Sequence, residues 1–217
     1  MTGMDLLGSG READVYAIGE GRVLRRYRRG DDATAEARLM SHLAAHGFPV
    51  PQVHSANGAD MIMERLDGPT MADAFAAGHL GVDDGAAILA GLHEHLHRLP
   101  SRSGRDSILH RDLHPENVML TTRGPVVIDW HNAAEGRPAV DVCLTAVIIA
   151  QVAADPGHPH AGAATAFLGA FLTRVGGEQL DGLGEALEIR RADPSLTAAG
   201  AAGLAAAVTP LIRGAVS

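Results

Sequence analysis

Apolar and polar positions alternate in short runs along the first third of the chain, a pattern typical of strands with one buried face. Turn-forming residues separate the runs: Gly8-Ser9-Gly10 predicts a first turn, Gly19 to Gly21 a second, and Asn57-Gly58 a third. The pattern therefore predicts five short strands, at residues 6–7, 14–18, 22–28, 53–54 and 61–63.

One helical period interrupts these strands. Asp31 and Asp32 are of a type that favours the start of a helix, and the apolar spacing that follows predicts a helix over residues 33–45. Gly47 and Pro49 predict its end, because glycine commonly follows the last helical residue and proline cannot continue a helix.

Helical spacing dominates the chain after Gly68-Pro69. Helices are predicted over residues 70–78 and 82–99 and then from Pro138 onward, including the alanine-rich C-terminal stretch. One strand pair interrupts them, at residues 118–120 and 126–128.

The change from strand to helical periodicity predicts an α+β fold with two lobes. A small antiparallel-sheet N-lobe would cover residues 1–66, and a mainly helical C-lobe would cover residues 67–217. A chain of 217 residues is long enough for two small lobes that share a cleft.

Composition narrows the classes of function. The net charge of −8 argues against a nucleic-acid-binding protein and would suit a cationic substrate. Cys143 is the only cysteine, so an intrachain disulfide and a thiolate zinc cluster are excluded. The N-terminus lacks the basic and apolar regions of a signal peptide, and the apolar run at residues 142–150 is too short to span a membrane. We therefore expect a cytoplasmic protein in which this run is a buried helix.

Candidate chemistry lies around the later strand pair. Asn117 precedes its first strand and Asp129 follows its second, so an antiparallel hairpin would place the two side by side. An amide oxygen and a carboxylate are ligands suited to Mg²⁺. Asp112 lies five residues before Asn117 and could accept a proton from a hydroxyl. Phosphoryl transfer needs these two components, a metal and a carboxylate that orients the nucleophile.

The same residues resemble the catalytic loop of the protein-kinase-like fold. Residues 110–113, His-Arg-Asp-Leu, with Asn117 four residues later, match H-R-D-L-x-x-x-N. Asp129 in Ile-Asp-Trp stands where those enzymes carry a second metal-binding aspartate. The resemblance implies that Asp112 orients the acceptor hydroxyl, that Asn117 and Asp129 hold Mg²⁺, and that the phosphate donor is ATP.

Two departures from protein kinases favour the branch that contains aminoglycoside phosphotransferases and choline kinases. His114 stands where protein kinases usually carry lysine, and only eleven residues separate Asp129 from Asp141, too few for an activation loop. The likeness to this branch implies a kinase of small hydroxylated molecules, with an aminoglycoside as the first candidate. It also implies that His114 contacts phosphate or the loop backbone, and that His110 and Asp141 support the loop. Asp141 could alternatively cap the helix that begins near Pro138.

The resemblance extends to a nucleotide site in the N-lobe. Gly8, Ser9 and Gly10 resemble the loop that covers the phosphates, and Arg25 stands in place of the usual phosphate-gripping lysine, braced by Glu36. Arg26 would point to the opposite face of the strand. The segment that holds adenine would comprise Met63, the carbonyl of Glu64 and the N–H of Leu66.

Other interpretations of the sequence remain open. His93, Glu94 and His97 fit H-E-x-x-H, the helix motif of zinc peptidases, although no third ligand is evident. Arg25 and the short C-lobe also allow a nucleotide-binding pseudokinase or scaffold, and a peptide or protein acceptor is a third alternative. Several acidic residues of the C-lobe could receive ammonium groups of a substrate, namely Asp83, Asp84, Glu178, Asp181 and Glu185.

Overall fold

The computed structural model describes residues 4–10, 12–29, 32–194 and 196–216. One expectation lies outside these residues, the contribution of Asp31 to a helix start. The chain divides into two compact units. The first unit comprises Met1–Pro69 and Val118–His131, and the second comprises Thr70–Asn117 and Asn132–Ser217. The expected lobe boundary after residue 66 stays a prediction.

The first unit contains the five predicted strands, which form one antiparallel sheet. They are β1 (Asp5–Ser9), β2 (Ala13–Gly19), β3 (Arg22–Tyr27), β4 (Val53–Asn57) and β5 (Asp60–Glu64). Their order in the sheet is β1-β2-β3-β5-β4, so each consecutive pair is a hairpin except β3 and β4, which a helix connects.

The predicted turn at Gly8-Ser9-Gly10 is wrong in its position. Gly8 and Ser9 belong to β1 and pair with Val15 and Asp14 of β2, after a register shift at Leu6. Glycine can occupy a strand when the neighbouring strand supplies the hydrogen-bond pairing. The turn therefore begins after Ser9, at Gly10. There the N–H of Gly10 donates to the carbonyl of Ala13 at 2.9 Å.

A helix and a second hairpin complete the first unit. Helix α1 (Thr34–Ala45) buries Met40 and Leu43, and the carboxylate of Asp32 accepts from the N–H of Thr34 at 2.9 Å. Strands β7 (Val118–Thr121) and β8 (Gly124–Val127) form the predicted hairpin, with Val118 opposite Val127. Trp130, just beyond β8, packs edge-on against Phe48, with ring centroids 5.6 Å apart.

The second unit is helical, as predicted. Its helices are α2 (Met71–Ala76), α3 (Val82–Arg98), α4 (Pro138–Ala154), α5 (Ala161–Val175), α6 (Leu183–Arg191) and α7 (Ala198–Gly214). Helix α4 is central and packs against α3, α5, α6 and α7. It is buried on every side from Val140 to Ala150, which confirms the buried helix expected from the apolar run. Within the described residues, none of the helices has both the length and the apolar character of a membrane span.

Two short strands of the second unit have no signal in the sequence. Strands β6 (Ser107–Leu109) and β9 (Ala134–Gly136) pair with each other over three residues each. Alternation over three residues cannot be distinguished from chance, so only the folded chain reveals them. Strand β6 leads directly into residue 110 and therefore fixes the start of the predicted catalytic loop.

Candidate active site

In the second unit, the buried carboxylate of Asp141 holds the backbone of the predicted catalytic loop. Its Oδ2 accepts from the N–H of His110 at 3.1 Å, and its Oδ1 accepts from the N–H of Arg111 at 2.7 Å. Arg111 has a positive φ of 67°, a strained conformation for a residue with a side chain. Because such strain persists only when the surroundings enforce it, the two hydrogen bonds from Asp141 account for the conformation of the loop.

Asp141 does not cap helix α4. The residue at the cap position is Arg137, which makes no side-chain capping hydrogen bond, and Asp141 lies within the helix. The alternative of a capping role is therefore wrong. Burial alone would raise the pKa of Asp141, but the imidazoles of His93 and His97 keep that pKa below its ordinary value. Asp141 is thus an ionised acceptor at the base of the loop.

Asp112, His114 and Asn117 lie together at the far end of this loop. The amide nitrogen of Asn117 donates to the carbonyl of Asp112 at 2.8 Å and lies 3.2 Å from Nε2 of His114. It also approaches Oδ2 of Asp112 at 3.4 Å, while His114 Nε2 lies 3.7 Å from Oδ1. The N–H of Asp112 in turn lies 3.3 Å from Nδ1 of His110. These contacts engage Nδ2 of Asn117, and none of the hydrogen bonds among the described residues involves its amide oxygen.

One residue near Asp112 is missing from the sequence-based site. Arg190 of α6 places Nη1 4.0 Å from Oδ1 of Asp112. Two partners hold its guanidinium: Gln151 accepts from Nε at 2.8 Å, and Asp193 accepts from Nη1 at 2.7 Å. The sequence has no signal that separates Arg190 from Arg191, since both lie in the stretch after Pro138 that is predicted to be helical. Only the fold turns the first toward Asp112, while the second pairs with Glu188.

In the first unit, Arg25 joins two carboxylates. Its Nη1 lies 3.2 Å from Oε1 of Glu36 and its Nη2 lies 2.5 Å from Oδ1 of Asp129. Burial would lower the pKa of Arg25, but these two carboxylates raise it above its ordinary value, so the guanidinium stays charged. Tyr27 also donates to Glu36 through its hydroxyl. Arg26 lies on the exposed face of β3 and pairs with Asp60 at 2.7 Å, as the strand alternation predicts.

The backbone at Asp129, in the first unit, is also strained. Asp129 has a φ of 64°, and the N–H of the next residue, Trp130, donates to Glu36 at 3.1 Å. Glu36 thus bonds to both Arg25 and the segment that carries Asp129. The Asp129 side chain is 45% exposed, so it remains accessible to a ligand.

The remaining nucleotide-site candidates lie on strands β1 and β5 of the first unit or within two residues of their ends. Ser9 donates its hydroxyl to Asp14 at 2.8 Å, and no atom lies within 4 Å of the position that a side chain would take at Gly8. Glu64 ends β5, and its carboxylate pairs with Arg123 at 2.7 Å. Met63 and Leu66 are half-buried on either side of it.

The H-E-x-x-H segment does not form a zinc-peptidase site. Glu94, the residue that would act as base, is 70% exposed and pairs with Arg98 at 2.9 Å. His97 instead bonds to the buried Asp141 at 2.9 Å, and His93 is 1% exposed. A peptide substrate could not reach histidines in this position while the glutamate points into solvent.

Three of the acidic residues proposed to receive ammonium groups are paired with arginines. Arg137 pairs with Asp181 at 3.2 Å and with Glu185 at 3.5 Å, and Arg174 lies 3.5 Å from Asp83. All three carboxylates are exposed surface groups, which weakens their assignment to a substrate pocket.

Comparisons with known proteins agree with the motifs. The model of the phosphotransferase enzyme family matches residues 4–95 and 69–174, well over half of the chain. No curated protein sequence matches. A ternary complex of the aminoglycoside phosphotransferase APH(2″)-IIa with streptomycin and ATP is 13% identical, with 97% of this chain and 93% of that chain covered and a TM-score of 0.63.

Two other solved structures are similar over the same length. Amicoumacin kinase hAmiN, in complex with AMP-PNP, Ca²⁺ and Ami, is 14% identical, with coverage of 97% and 88% and a TM-score of 0.61. A choline/ethanolamine kinase family protein from Mesorhizobium loti is 16% identical, with coverage of 97% and 88% and a TM-score of 0.58. At these identities the likeness establishes the fold, and it confirms the predicted α+β, protein-kinase-like class.

Proposed function

Because this chain belongs to the phosphotransferase enzyme family and is a small-molecule kinase, we propose that it moves the γ-phosphoryl group of Mg·ATP to a hydroxyl of an aminoglycoside-like acceptor. The observation that carries the proposal is the hydrogen-bonded loop in which Asp141 holds the backbone and Asn117 bonds to Asp112. This arrangement gives Asp112 a fixed position, as a residue that orients a nucleophile requires.

The oxygen donors of the chain fit Mg²⁺. Asn117 offers an amide oxygen and Asp129 a carboxylate that is partly exposed, and both are hard ligands of the kind this ion prefers. Bound Mg²⁺ would neutralise charge on the phosphates during transfer. Asp129 bonds to Arg25 through Oδ1, so a metal would share this carboxylate with the guanidinium.

Arg25 is assigned to the α- and β-phosphates. Glu36 and Asp129 hold its guanidinium in one place, so little side-chain entropy remains to be lost when phosphate binds. The backbone of Gly8, Ser9 and Gly10 would cover the phosphates. Adenine would lie beside Met63, bonded to the carbonyl of Glu64 and the N–H of Leu66.

In the transfer step, Asp112 would accept a hydrogen bond from the acceptor hydroxyl and orient its lone pair toward the phosphorus. His114 and Asn117 flank the same carboxylate and restrict its rotation. The bound acceptor in the solved relatives, streptomycin in one case, supports an aminoglycoside-like molecule as the first acceptor to test.

A nucleotide-binding pseudokinase is the second candidate. The ion pair between Arg25 and Asp129 favours it, because a carboxylate that is engaged by an arginine is less available to a metal. This candidate predicts nucleotide binding without acceptor-dependent turnover.

The deciding experiment measures ADP release from Mg·ATP with and without a panel of aminoglycosides, other amino-sugars and aminoalcohols. Asp112→Asn serves as the inactive variant, and Asp106→Asn, an exposed aspartate just before β6, serves as the matched control. Acceptor-dependent release that disappears only in Asp112→Asn supports the proposal. Nucleotide binding with no release for any acceptor supports the pseudokinase instead.

A further inference from the structure

Three side chains beneath the proposed catalytic loop bring their ligand atoms together in the core of the second unit. His93 and His97 lie one turn apart on α3, and Asp141 faces them from α4. One ligand atom from each lies within 4.8 Å of the others. His97 Nε2 and Asp141 Oδ2 are 2.9 Å apart, and His93 Nδ1 lies 3.5 Å from the same oxygen.

The hydrogen bonds around His93 determine which of its ring nitrogens carries the proton. The hydroxyl of Thr145 donates to the carbonyl of Leu113 at 2.6 Å, so its oxygen must accept from Nε2 of His93 at 2.9 Å. Neutral His93 therefore carries its proton on Nε2 and a lone pair on Nδ1.

This lone pair is left without a partner. His93 Nδ1 is fully buried and makes no hydrogen bond with any residue that the structure describes. It lies 3.5 Å from Oδ2 of Asp141, too far for a well-formed hydrogen bond. Buried polar atoms are normally satisfied, so a nitrogen without a hydrogen bond beside two other ligand atoms is suited to bind a cation.

We propose that His93, His97 and Asp141 form a buried structural site for a divalent cation of the zinc class. Two ligands on a tetrahedral zinc ion lie about 3.4 Å apart, since zinc–nitrogen and zinc–oxygen bonds are about 2.0–2.1 Å long. The observed separations of 2.9 and 3.5 Å lie on either side of that value. Thr145 would play the supporting part, because a bond to the second ring nitrogen orients a metal-binding histidine.

The site would act on the catalytic loop through Asp141. Both oxygens of this carboxylate already accept from the loop backbone, at His110 and Arg111. A cation bound to Oδ2 and to Nε2 of His97 would replace the hydrogen bond between these atoms, and the ring proton of neutral His97 would then lie on Nδ1. The bonds from the loop backbone to Asp141 would stay in place. The cation would thus lock helices α3 and α4 to the loop, and it would take no part in phosphoryl transfer.

Because the ligands are buried, the cation should enter during folding. The test unfolds the full chain with chelator and refolds it with Co²⁺, whose visible spectrum reports tetrahedral coordination by nitrogen and oxygen. We expect one Co²⁺ per chain after gel filtration, a tetrahedral spectrum and a higher melting temperature than for chain refolded without metal. In His93→Gln the spectrum and the stoichiometric metal should both be lost.

The chain offers a matched control for binding at its surface. His42 lies on α1 and His46 just after it, so the two have the same four-residue spacing as His93 and His97. Both are more exposed than His93, and their ring centroids are 4.4 Å apart. His46→Gln should retain the metal and its spectrum. Loss in His46→Gln with retention in His93→Gln would show adventitious surface binding and overturn the proposal, as would the absence of retained metal in the unchanged chain.

A second measurement avoids dependence on the folding of His93→Gln. Nitrogen-15 spectra of the histidine side chains are recorded on the unchanged chain refolded with and without Zn²⁺. Zinc should shift a buried Nδ1 resonance together with the Nε2 resonance of a second histidine. If zinc leaves the buried resonances unchanged, or if they show a doubly protonated imidazole in both samples, the orphaned nitrogen is satisfied by a proton and the metal site is refuted.

Discussion

The carboxylate of Asp112 makes only long polar contacts with the residues that the structure describes. They are 3.4 Å to Asn117, 3.7 Å to His114 and 4.0 Å to Arg190. Each of these distances is longer than that of a strong hydrogen bond to a carboxylate oxygen. The carboxylate is therefore surrounded by positive and polar groups while its acceptor capacity stays available for a hydroxyl.

Arg190→Ala tests whether this arrangement matters for turnover. We expect kcat to fall about ten- to a hundredfold, because a cation 4.0 Å away no longer restrains Asp112. Nucleotide affinity should change little. Arg191→Ala is the control, since Arg191 pairs with Glu188 at the surface. The measurement is a steady-state assay with an acceptor identified in the ADP-release experiment. An equal loss of kcat in both variants would indicate a general effect on α6.

Arg25→Gln tests the buried charge cluster. Removing the guanidinium leaves Glu36 and Asp129 without their shared cation, so we expect a loss of about 3 kcal/mol in the free energy of unfolding and weaker nucleotide binding. Arg26→Gln removes an exposed pair with Asp60 and should cost less than about 1 kcal/mol. Urea denaturation of both variants makes the comparison, and similar losses would contradict the assignment.

Cys143 allows a prediction about pH. Burial raises the pKa of this thiol to about 12, and its Sγ donates to the carbonyl of Gln179. The folded chain therefore holds a proton that the unfolded chain releases at lower pH, so this contribution to stability is complete below the ordinary thiol pKa and declines as the pH rises above it. At pH 8 a thiol reagent should label the folded chain at least a hundredfold more slowly than the unfolded chain. Comparable rates would show that Cys143 is accessible.

Sequence spacing predicts which residue types take part in the site, but not how they are joined. The alternation of β3 places Arg25 on the buried face and Arg26 on the exposed one, and helical spacing brings Glu36 within reach of the first. The ion pair between Arg25 and Asp129 spans 104 positions, and no local pattern carries that information. The assigned catalytic and nucleotide roles stay predictions until the variants are measured.

Among the elements, glycines show where close packing demands a particular residue. A side chain at Gly182 would place its first carbon 2.5 Å from the carbonyl carbon of Ala139 and 2.7 Å from the nitrogen of Val140, both backbone atoms of α4. Such a contact cannot be relieved by a rotamer change. The short 3₁₀ segment Gly177–Gly182 therefore approaches α4 closely only because this residue is glycine.

Gly182→Ala should lower the free energy of unfolding by about 2–3 kcal/mol, since α4 and the 3₁₀ segment must move apart. Gly184→Ala is the matched control on α6, because no atom lies within 4 Å of its added carbon. That variant should be neutral or gain up to about 1 kcal/mol from helix propensity. Thermal and urea denaturation would compare the pair, and a neutral Gly182→Ala would show that the packing is looser than described.

Elements with many repeats of their period could be predicted, and short ones could not. Helices α3 and α4, before and after the catalytic loop, have 17 residues each, whereas β6 and β9 have three residues each. The position of the first turn was also wrong, because pairing with β2 determines the conformation of Gly8 and Ser9 more strongly than their own turn preference. Tertiary pairing thus decides the elements whose local signal is weak.

For the whole molecule, the proposed nucleotide site leads to a prediction about stability. The residues proposed to hold Mg·ATP are Arg25, Asp129 and Asn117, which come from distant parts of the sequence. A ligand that requires all three to be folded stabilises the native chain by mass action, by about 2.7 kcal/mol at a hundred times its dissociation constant. For a chain of this length that corresponds to an increase of about 5–10 °C in the melting temperature.

A non-hydrolysable ATP analogue with Mg²⁺ should produce this increase in the unchanged chain. Calorimetry or the fluorescence of a dye that binds the unfolded chain would measure the melting temperature. Asp112→Asn should retain it, because Asp112 is assigned to the acceptor hydroxyl and not to the nucleotide. Arg25→Gln should lose most of it, even after correction for its lower starting stability. If the analogue leaves the melting temperature of the unchanged chain constant at millimolar concentration, the nucleotide assignment fails for kinase and pseudokinase alike. If Asp112→Asn loses the increase as well, Asp112 belongs to the nucleotide site and its role as the residue that orients the acceptor is wrong.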